Sequence, residues 1–331
     1  MSLRKPAAQL LLLAALALIA VLVSVMVGAV SLSPGEVFSA IRGDGDPTAI
    51  VIVRQLRLPR AVVAALVGAA LAASGATFQA LLRNPLAEPY ILGVSGGAAV
   101  GAMIAMVAGW SETVSRAVPF AAFIGAIGAI LLVLRIAASA GQALDTRVLL
   151  LGGVVVGAFF NAVILLVLTL TDAESFRSAI FWIMGGFAGA TWSTAGVLLL
   201  WFVPGLLLLL ALGRSLDLMS IGEDTALYLG TRVEQVKLIA YISASLLTAA
   251  AVSVSGVIGF VGLVVPHVIR RVWGGGFRFL IPASALLGAA FLTGADALAR
   301  TAAAPMELPV GVITAFVGVP FFVWLLRRRP G

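Results

Sequence analysis

Apolar runs about as long as a bilayer is thick recur from one end of the chain to the other, and nearly every charged side chain falls between them. A hydrocarbon core of roughly 30 Å takes about 20 residues of helix, and the run from Ala7 to Val30 meets that length. Of the 331 residues, 62% are hydrophobic and 11% charged, against about 25% charged in an ordinary soluble domain. A water-soluble fold cannot hide so much apolar surface. The chain therefore reads as an all-α polytopic membrane protein of about ten transmembrane helices, in a single domain over residues 1–331. Spans are expected at 8–30, 60–81, 90–109, 117–136, 148–170, 193–212, 236–254, 257–272, 280–299 and 308–326.

The first run follows Arg4 and Lys5, as a secretory signal would. It exceeds the apolar core of a signal peptide, about 7 to 15 residues, and is expected to stay as the first helix. The eighth span is the least regular. Lys237 to Arg271 is short for two crossings and contains Gly256, Gly259, Gly262 and Pro266. A broken or half-length helix is expected there, where protein or a cavity covers the freed backbone.

The net charge of +7 raises the question of nucleic acid, and the placement of the charges answers it. Starting inside, one set of connecting segments holds Arg4, Lys5, Arg83, Arg135, Arg147, Arg214, Arg232, Lys237, Arg270, Arg271, Arg278 and Arg327 to Arg329. The other holds Arg42, Arg54, Arg57, Arg60, Arg116, Arg177 and Arg300. By the positive-inside rule the richer side is cytoplasmic and both termini lie there. The partner implied is a lipid membrane and not nucleic acid.

On the outer side, Ser31 to Pro59 is expected to carry a short amphipathic helix capped by Ser33, with Pro34 at its first position and Glu36 closing a capping box. A second short helix is expected in 171–191. Gly93, Gly97 and Gly101 lie four apart, as do Gly153 and Gly157, a stripe that lets helix backbones approach closely. A faint repeat, Ser74-Gly75 before Pro85 and Ser255-Gly256 before Pro266, suggests two halves of opposite orientation.

Catalytic chemistry finds no support in the sequence. A charge at the bilayer centre costs at least about 2.5 to 3.5 kcal/mol, and here nearly all charges sit at span ends, which argues against proton or ion coupling. His267 is the only histidine and cysteine is absent, so no metal site can be assembled, and a structural role for His267 is favoured over ligation. Neither lysine follows a glycine, so the chain has no phosphate-binding loop of the Gly-Lys kind. No cofactor is expected to be bound covalently, and energy for active transport must come from another polypeptide.

Six motifs, in order over nearly the whole chain, resemble one family. They are RQLRLPR (Arg54 to Arg60), NPLAEPYILGVSGGA (Asn84 to Ala98), WIMGGFAGATW (Trp182 to Trp192), SIGEDTALYLG (Ser220 to Gly230), SGVIGFVGLVVPHVIRR (Ser255 to Arg271) and ELPVGVITAFVGVPFFVWLL (Glu307 to Leu326). The family is the membrane-spanning permease subunits of bacterial ABC importers for vitamin B12, ferric siderophores and haem. The resemblance implies the type II ABC importer permease architecture in the bacterial inner membrane. It implies a homodimer with one translocation pathway at its interface, two cytoplasmic ATPase subunits that use the ATP, and an extracytoplasmic substrate-binding protein.

The resemblance also assigns roles. Within a cytoplasmic segment at about 214–235, Gly222, Glu223, Asp224, Ala226, Leu229 and Gly230 form the helix that couples to the ATPase; read from the residues alone, the segment is a short amphipathic helix ending at a glycine. Arg57, Arg60 and Arg300 dock carboxylates of the binding protein, a task suited to guanidinium forks, although Asp296 is also placed to pair with Arg300 along the helix. Asn84, Pro85 and Leu86, with Asp145 and Thr146, border the inner gate or serve simply as turns. The expected cargo is a ferric siderophore or cobalamin, with haem as the alternative. A secondary transporter needs buried titratable groups, and an enzyme needs an acid/base pair or a metal cluster; the sequence offers neither.

Overall fold

The computed structural model describes residues 4–110, 114, 116–139 and 145–327; Arg328 and Arg329 of the charge count lie outside them. Among the described residues the chain is helix and loop. In order, the helices are α1 (Arg4–Met26), α2 (Pro34–Arg42), α3 (Pro47–Val51), α4 (Leu58–Leu81), α5 (Val94–Val107), α6 (Ala117–Ser139), α7 (Thr146–Leu170), α8 (Ala173–Met184), α9 (Trp192–Ile221), α10 (Glu223–Tyr228), α11 (Val233–Ser255), α12 (Val261–Trp273), α13 (Phe277–Thr301) and α14 (Val310–Arg327). A π-helical turn spans Ile52–Arg57 and a 3-10 turn spans Pro89–Leu92.

Each expected span coincides with one helix. Seven are long and apolar enough to cross a bilayer unaided; α5, α12 and α14 are shorter. The irregular eighth span is α12, of 13 residues, about 20 Å long at 1.5 Å per residue and so well short of the hydrocarbon thickness. Residues 256–259 ahead of it carry no regular structure. Both outer helices form: α2 starts with the Ser33/Glu36 capping box, in which the Ser33 N–H holds the Glu36 carboxyl below its ordinary range, and α8 occupies the second outer segment.

Helix α4 is the axis of the bundle. Of its apolar window 83% is buried, against 17% for α1 and α9, because α13, α11, α9 and α12 all pack on it. Ser74 Oγ donates to the Ala244 carbonyl while Phe78 stacks edge-on against Tyr241, so α4 and α11 run antiparallel. In each half of the chain a long buried helix, α4 or α11, leads through an irregular segment into a short helix, α5 or α12. The repeat therefore survives as architecture, but not in the register of the sequence match. Ser74 and Gly75 lie inside α4, whereas Ser255 ends α11 and Gly256 caps it.

The two irregular segments meet. Glu88 Oε1 accepts from the Phe260 N–H at 2.7 Å. The Tyr90 hydroxyl donates to the Ile258 carbonyl at 3.0 Å and accepts from the Ile258 N–H at 3.2 Å. Backbone groups released by one broken helix are thus satisfied by side chains from the other, as the interior of a membrane protein requires.

Helix crossings depend on missing side chains. A Cβ on Gly75 would lie 2.0 Å from the Gly262 carbonyl oxygen, and one on Gly97 2.3 Å from that of Gly125. Gly101 and Gly153 are as tightly opposed, whereas Gly93, at φ 73, caps the 3-10 turn and Gly157 has nothing within 4 Å among the described residues, so Gly97, Gly101 and Gly153 are the packing members of the stripe. Overpacking typically costs about 1 to 3 kcal/mol. Gly75→Ala is expected to lower the thermal unfolding temperature of the detergent-purified protein by several degrees, and Gly157→Ala to leave it unchanged within error, as read by tryptophan fluorescence.

Candidate functional site

At one end of the bundle, the expected outer face, the structure brings Arg57, Arg60 and Arg300 together. Asp296, fully buried on α13, lies between two of them. Arg60 Nη2 meets Asp296 Oδ1 at 2.9 Å and its Nη1 meets Glu307 at 2.9 Å. Arg300 Nε meets Asp296 Oδ2 at 3.1 Å, and its Nη2 donates to the Ser24 carbonyl at 3.0 Å and hydroxyl at 2.8 Å. Arg57 Nη1 donates to the Val25 and Met26 carbonyls, both at 3.0 Å, and Nη2 to Val30. Arg57 is 5% exposed and Arg300 6%. The pairing of Asp296 with Arg300 foreseen along the helix is present, and both Arg57 and Arg300 spend their donors on the end of α1. Only Arg60 has a partner open to exchange, since the Glu307 side chain is 47% exposed. A depression of about 340 Å³ opens beside the cluster, bordered by Arg57, Arg60, Arg300 and Glu307.

At the opposite end, α9 leads into the segment expected to couple to an ATPase. Its 30 residues make about 45 Å of helix, some 15 Å more than the hydrocarbon core needs. It stops at Gly222, and α10 begins at Glu223. Ala226 is buried, while Leu227, Tyr228 and Leu229 are exposed, Tyr228 to 91%. Gly230, at φ 81, turns the chain back, and its N–H donates to the Leu227 carbonyl. Left-handed φ of this kind suits glycine. The result is a short helix with a buried alanine, two acidic residues in its first turn and an uncovered apolar tip.

The residues expected at the inner gate share this end. Asn84 Oδ1 accepts from the Leu86 N–H at 2.9 Å, a side-chain turn that sets Pro85 and Leu86 on the surface. Asp145 caps α7 by accepting from the Arg147 and Val148 N–H groups. Thr146 Oγ1 donates to the Leu81 carbonyl at 3.3 Å, so the start of α7 is tied to the last turn of α4, just ahead of Asn84. Glu223 reaches the same place, paired with Arg83 at 3.3 Å and Lys237 at 2.6 Å.

Nothing in the sequence marks Asp296, Glu88 or Lys237 as a site residue. The only local signal for Asp296 is its spacing from Arg300; Arg60 is 236 residues away in the chain. Periodicity assigns Glu88 to a connecting loop, and nothing local tells that the loop folds back onto Phe260. His267 Nδ1 has no hydrogen-bond partner among the described residues, and its ring faces Phe321 and Phe322 at 6.0 and 6.4 Å. Among the described residues no group of three or more His, Cys, Asp or Glu is placed to hold a metal ion.

The FecCD transport family matches residues 16–328. An uncharacterized ABC transporter permease protein of Bacillus subtilis, YvrB, is 43% identical over 294 residues, 88% of this chain and 83% of that protein. The vitamin B12 import system permease protein BtuC of Escherichia coli is 39% identical over 319 residues, 96% of this chain and 94% of that one. Among solved structures, a metal-chelate type ABC transporter in an inward-facing conformation superposes with a TM-score of 0.85 at 32% identity, covering 97% of this chain and 99% of that chain.

Removing one partner of a buried ion pair leaves an uncompensated charge and typically costs about 3 to 5 kcal/mol. Asp296→Ala leaves buried Arg300 without a carboxylate and Arg60 with Glu307 alone, and is expected to cost that much in thermal stability. Glu307→Ala, at the half-exposed partner, is expected to cost less than about 1 kcal/mol. Unfolding of both variants in one detergent checks the order.

Proposed function

The chain belongs to the FecCD transport family and is the permease of an ABC importer; on that premise we propose what it carries and how it is driven. It works as a homodimer, with one translocation pathway between the two copies, in the cytoplasmic membrane of a bacterium with both termini inside. Its cargo is a metal chelate of the cobalamin or ferric-siderophore class. The observation that carries the reading is α10: a helix with an uncovered apolar tip, held beyond the bilayer on an extended α9, in a chain without a nucleotide-binding loop of its own. Such a tip needs a partner, and an ATPase groove supplies one.

At the other end a substrate-binding protein docks over the depression beside the arginine cluster. Arg60 is the contact there, because an incoming carboxylate can replace the half-exposed Glu307. Arg57 and Arg300 hold the floor of the depression through α1. The hollow next to it, about 560 Å³, is bordered by Arg60, Glu307, Gly185 to Gly189, Ser253 and Ser255. Phe181, Trp182 and Phe187 also line it, and few polar groups converge there, which suits passage more than tight binding, so affinity resides in the binding protein. Haem is the weaker reading, since the one imidazole is packed among phenylalanine rings. A secondary transporter is disfavoured because Asp296, Arg300 and Lys237, all buried, are each paired within the chain.

Leu229→Arg places a charge in the tip of α10 without touching a buried contact, as Leu229 is 61% exposed. The variant is expected to purify in normal yield while co-purification of the ATPase subunit and cargo uptake by proteoliposomes both fall about tenfold or more, the loss typical of a hot-spot residue. Wild-type co-purification and uptake in this variant refute the coupling assignment. Parallel uptake of cyanocobalamin and a ferric hydroxamate by the wild-type complex decides the cargo class.

A further inference from the structure

The same carboxylate touches two elements that the function reading treats separately. Glu223 is the first residue of α10. Its Oε2 lies 2.6 Å from Lys237 Nζ on α11, and its Oε1 lies 3.3 Å from Arg83 Nη2 in the loop after α4. The two bonds are unequal in surroundings. The Lys237 side chain is 9% exposed, the Arg83 side chain 45%. Lys237 therefore fixes the carboxylate to the bundle, while Arg83 is an arm that water can reach.

Arg83 is one of two non-glycine residues with positive φ among the described residues, at φ 46, a conformation that costs an L-residue about 1 to 2 kcal/mol. It stands directly before Asn84. The Leu81 carbonyl, two residues earlier, is held by Thr146, and Glu88, further along the same loop, caps the backbone at Phe260. A displacement of α10 delivered through Arg83 thus reaches the loop at the residue next to the Asn84-Pro85-Leu86 turn. The loop is itself pinned on both sides.

We propose that Glu223 is a positioning residue that joins the coupling helix to the inner-gate loop: Lys237 sets its carboxylate, and the carboxylate grips Arg83, so that movement of α10 moves the Asn84-Pro85-Leu86 turn. This rests on the reading of α10 as the helix that docks the ATPase. The role is distinct from docking, because the Glu223 side chain, 33% exposed, is held by Lys237 and Arg83, whereas Leu227, Tyr228 and Leu229 are exposed and form the docking tip. A broken junction leaves an ATPase that binds and turns over without moving cargo.

The chain has no cysteine, so a pair introduced at the junction is the only thiol target within the permease, and the partners are used in cysteine-free form. The complete complex of permease, ATPase and binding protein is reconstituted in liposomes, and cargo transported per ATP hydrolysed is measured. Arg83→Ala is expected to keep the ATPase bound and hydrolysing while cargo per ATP falls about fivefold or more, the lower end of a typical coupling free energy, and Glu223→Gln is expected to lower cargo per ATP to the same extent. Arg83→Lys is expected to stay near wild type. The double variant Arg83→Cys, Glu223→Cys is expected to be uncoupled when reduced and to recover cargo transport when a short bismaleimide bridges the pair. A wild-type ratio in Arg83→Ala, or a bridged pair that stays uncoupled, overturns the proposal. If Glu223→Gln sheds the ATPase, the carboxylate is a docking contact and this proposal fails while the docking reading stands. If the wild-type permease binds no ATPase, the docking reading itself has failed.

Discussion

The contact between two broken helices sets the terms for the rest of the bundle. In lipid a free N–H or C=O costs several kcal/mol, so α12 can begin at Val261, part-way through the membrane, only if the groups released before it find partners. Glu88 and Tyr90 supply them from the other irregular segment. A carboxylate at the Phe260 N–H also lies at the positive end of the α12 dipole. The exchange requires the α4–α5 loop to fold inward, which shortens α5 to 14 residues. Two short helices and one inward loop are thus consequences of a single set of hydrogen bonds.

Close backbone approach is the second condition. Gly75 on α4 faces Gly262 on α12, and Gly68 faces Gly288 on α13. Without hydrophobic drive between helices in lipid, van der Waals contact at such crossings holds the bundle together. Gln79 adds polar bonds at the same interface: its amide donates to the Gly262 carbonyl at 3.3 Å, and its Oε1 accepts from Arg270 at 3.1 Å. Gln79 therefore binds α4 to the start and to the charged end of α12.

Features that depend on neighbours along the chain were legible in the sequence. The ten spans, the Ser33/Glu36 box, the half-length helix at Gly256 to Pro266 and the short helix closed by Gly230 all follow from local patterns of apolarity, capping and glycine. Features that depend on distant pairs were not. Arg57, Arg60 and Arg300 read as a row of outward cations because sequence shows their side of the membrane but not the direction of their side chains. Burial of Asp296 and the carbonyls at the end of α1 turn them inward. Glu88 reads as a loop acid for the same reason, since its partner Phe260 lies 172 residues away. The Ser-Gly repeat misled in register because small residues serve helix crossing in α4 and helix termination in α11, two different physical demands met by one residue type.

The two ends of the protein that contact other polypeptides in the proposed cycle are also the two ends of one helix. Arg60 lies in the first turn of α4, and Arg83 follows its last residues. Twenty-four residues of helix span about 36 Å, and bending α4 means opening the Gly68 and Gly75 contacts, where no side chain can be repacked to fill the gap. The low-cost motions are therefore those of whole packed elements, with deformation confined to the irregular segments around Glu88 and 256–260. That arrangement matches the proposed cycle of alternating access: rigid walls, hinges held by few polar bonds, and the proposed driving contacts at the α10 end, far from the Arg60 end where cargo would arrive. A buried salt bridge at Asp296 keeps the outer end of α4 fixed to α13, while the water-exposed Arg83 pair leaves the inner end the easier of the two to move.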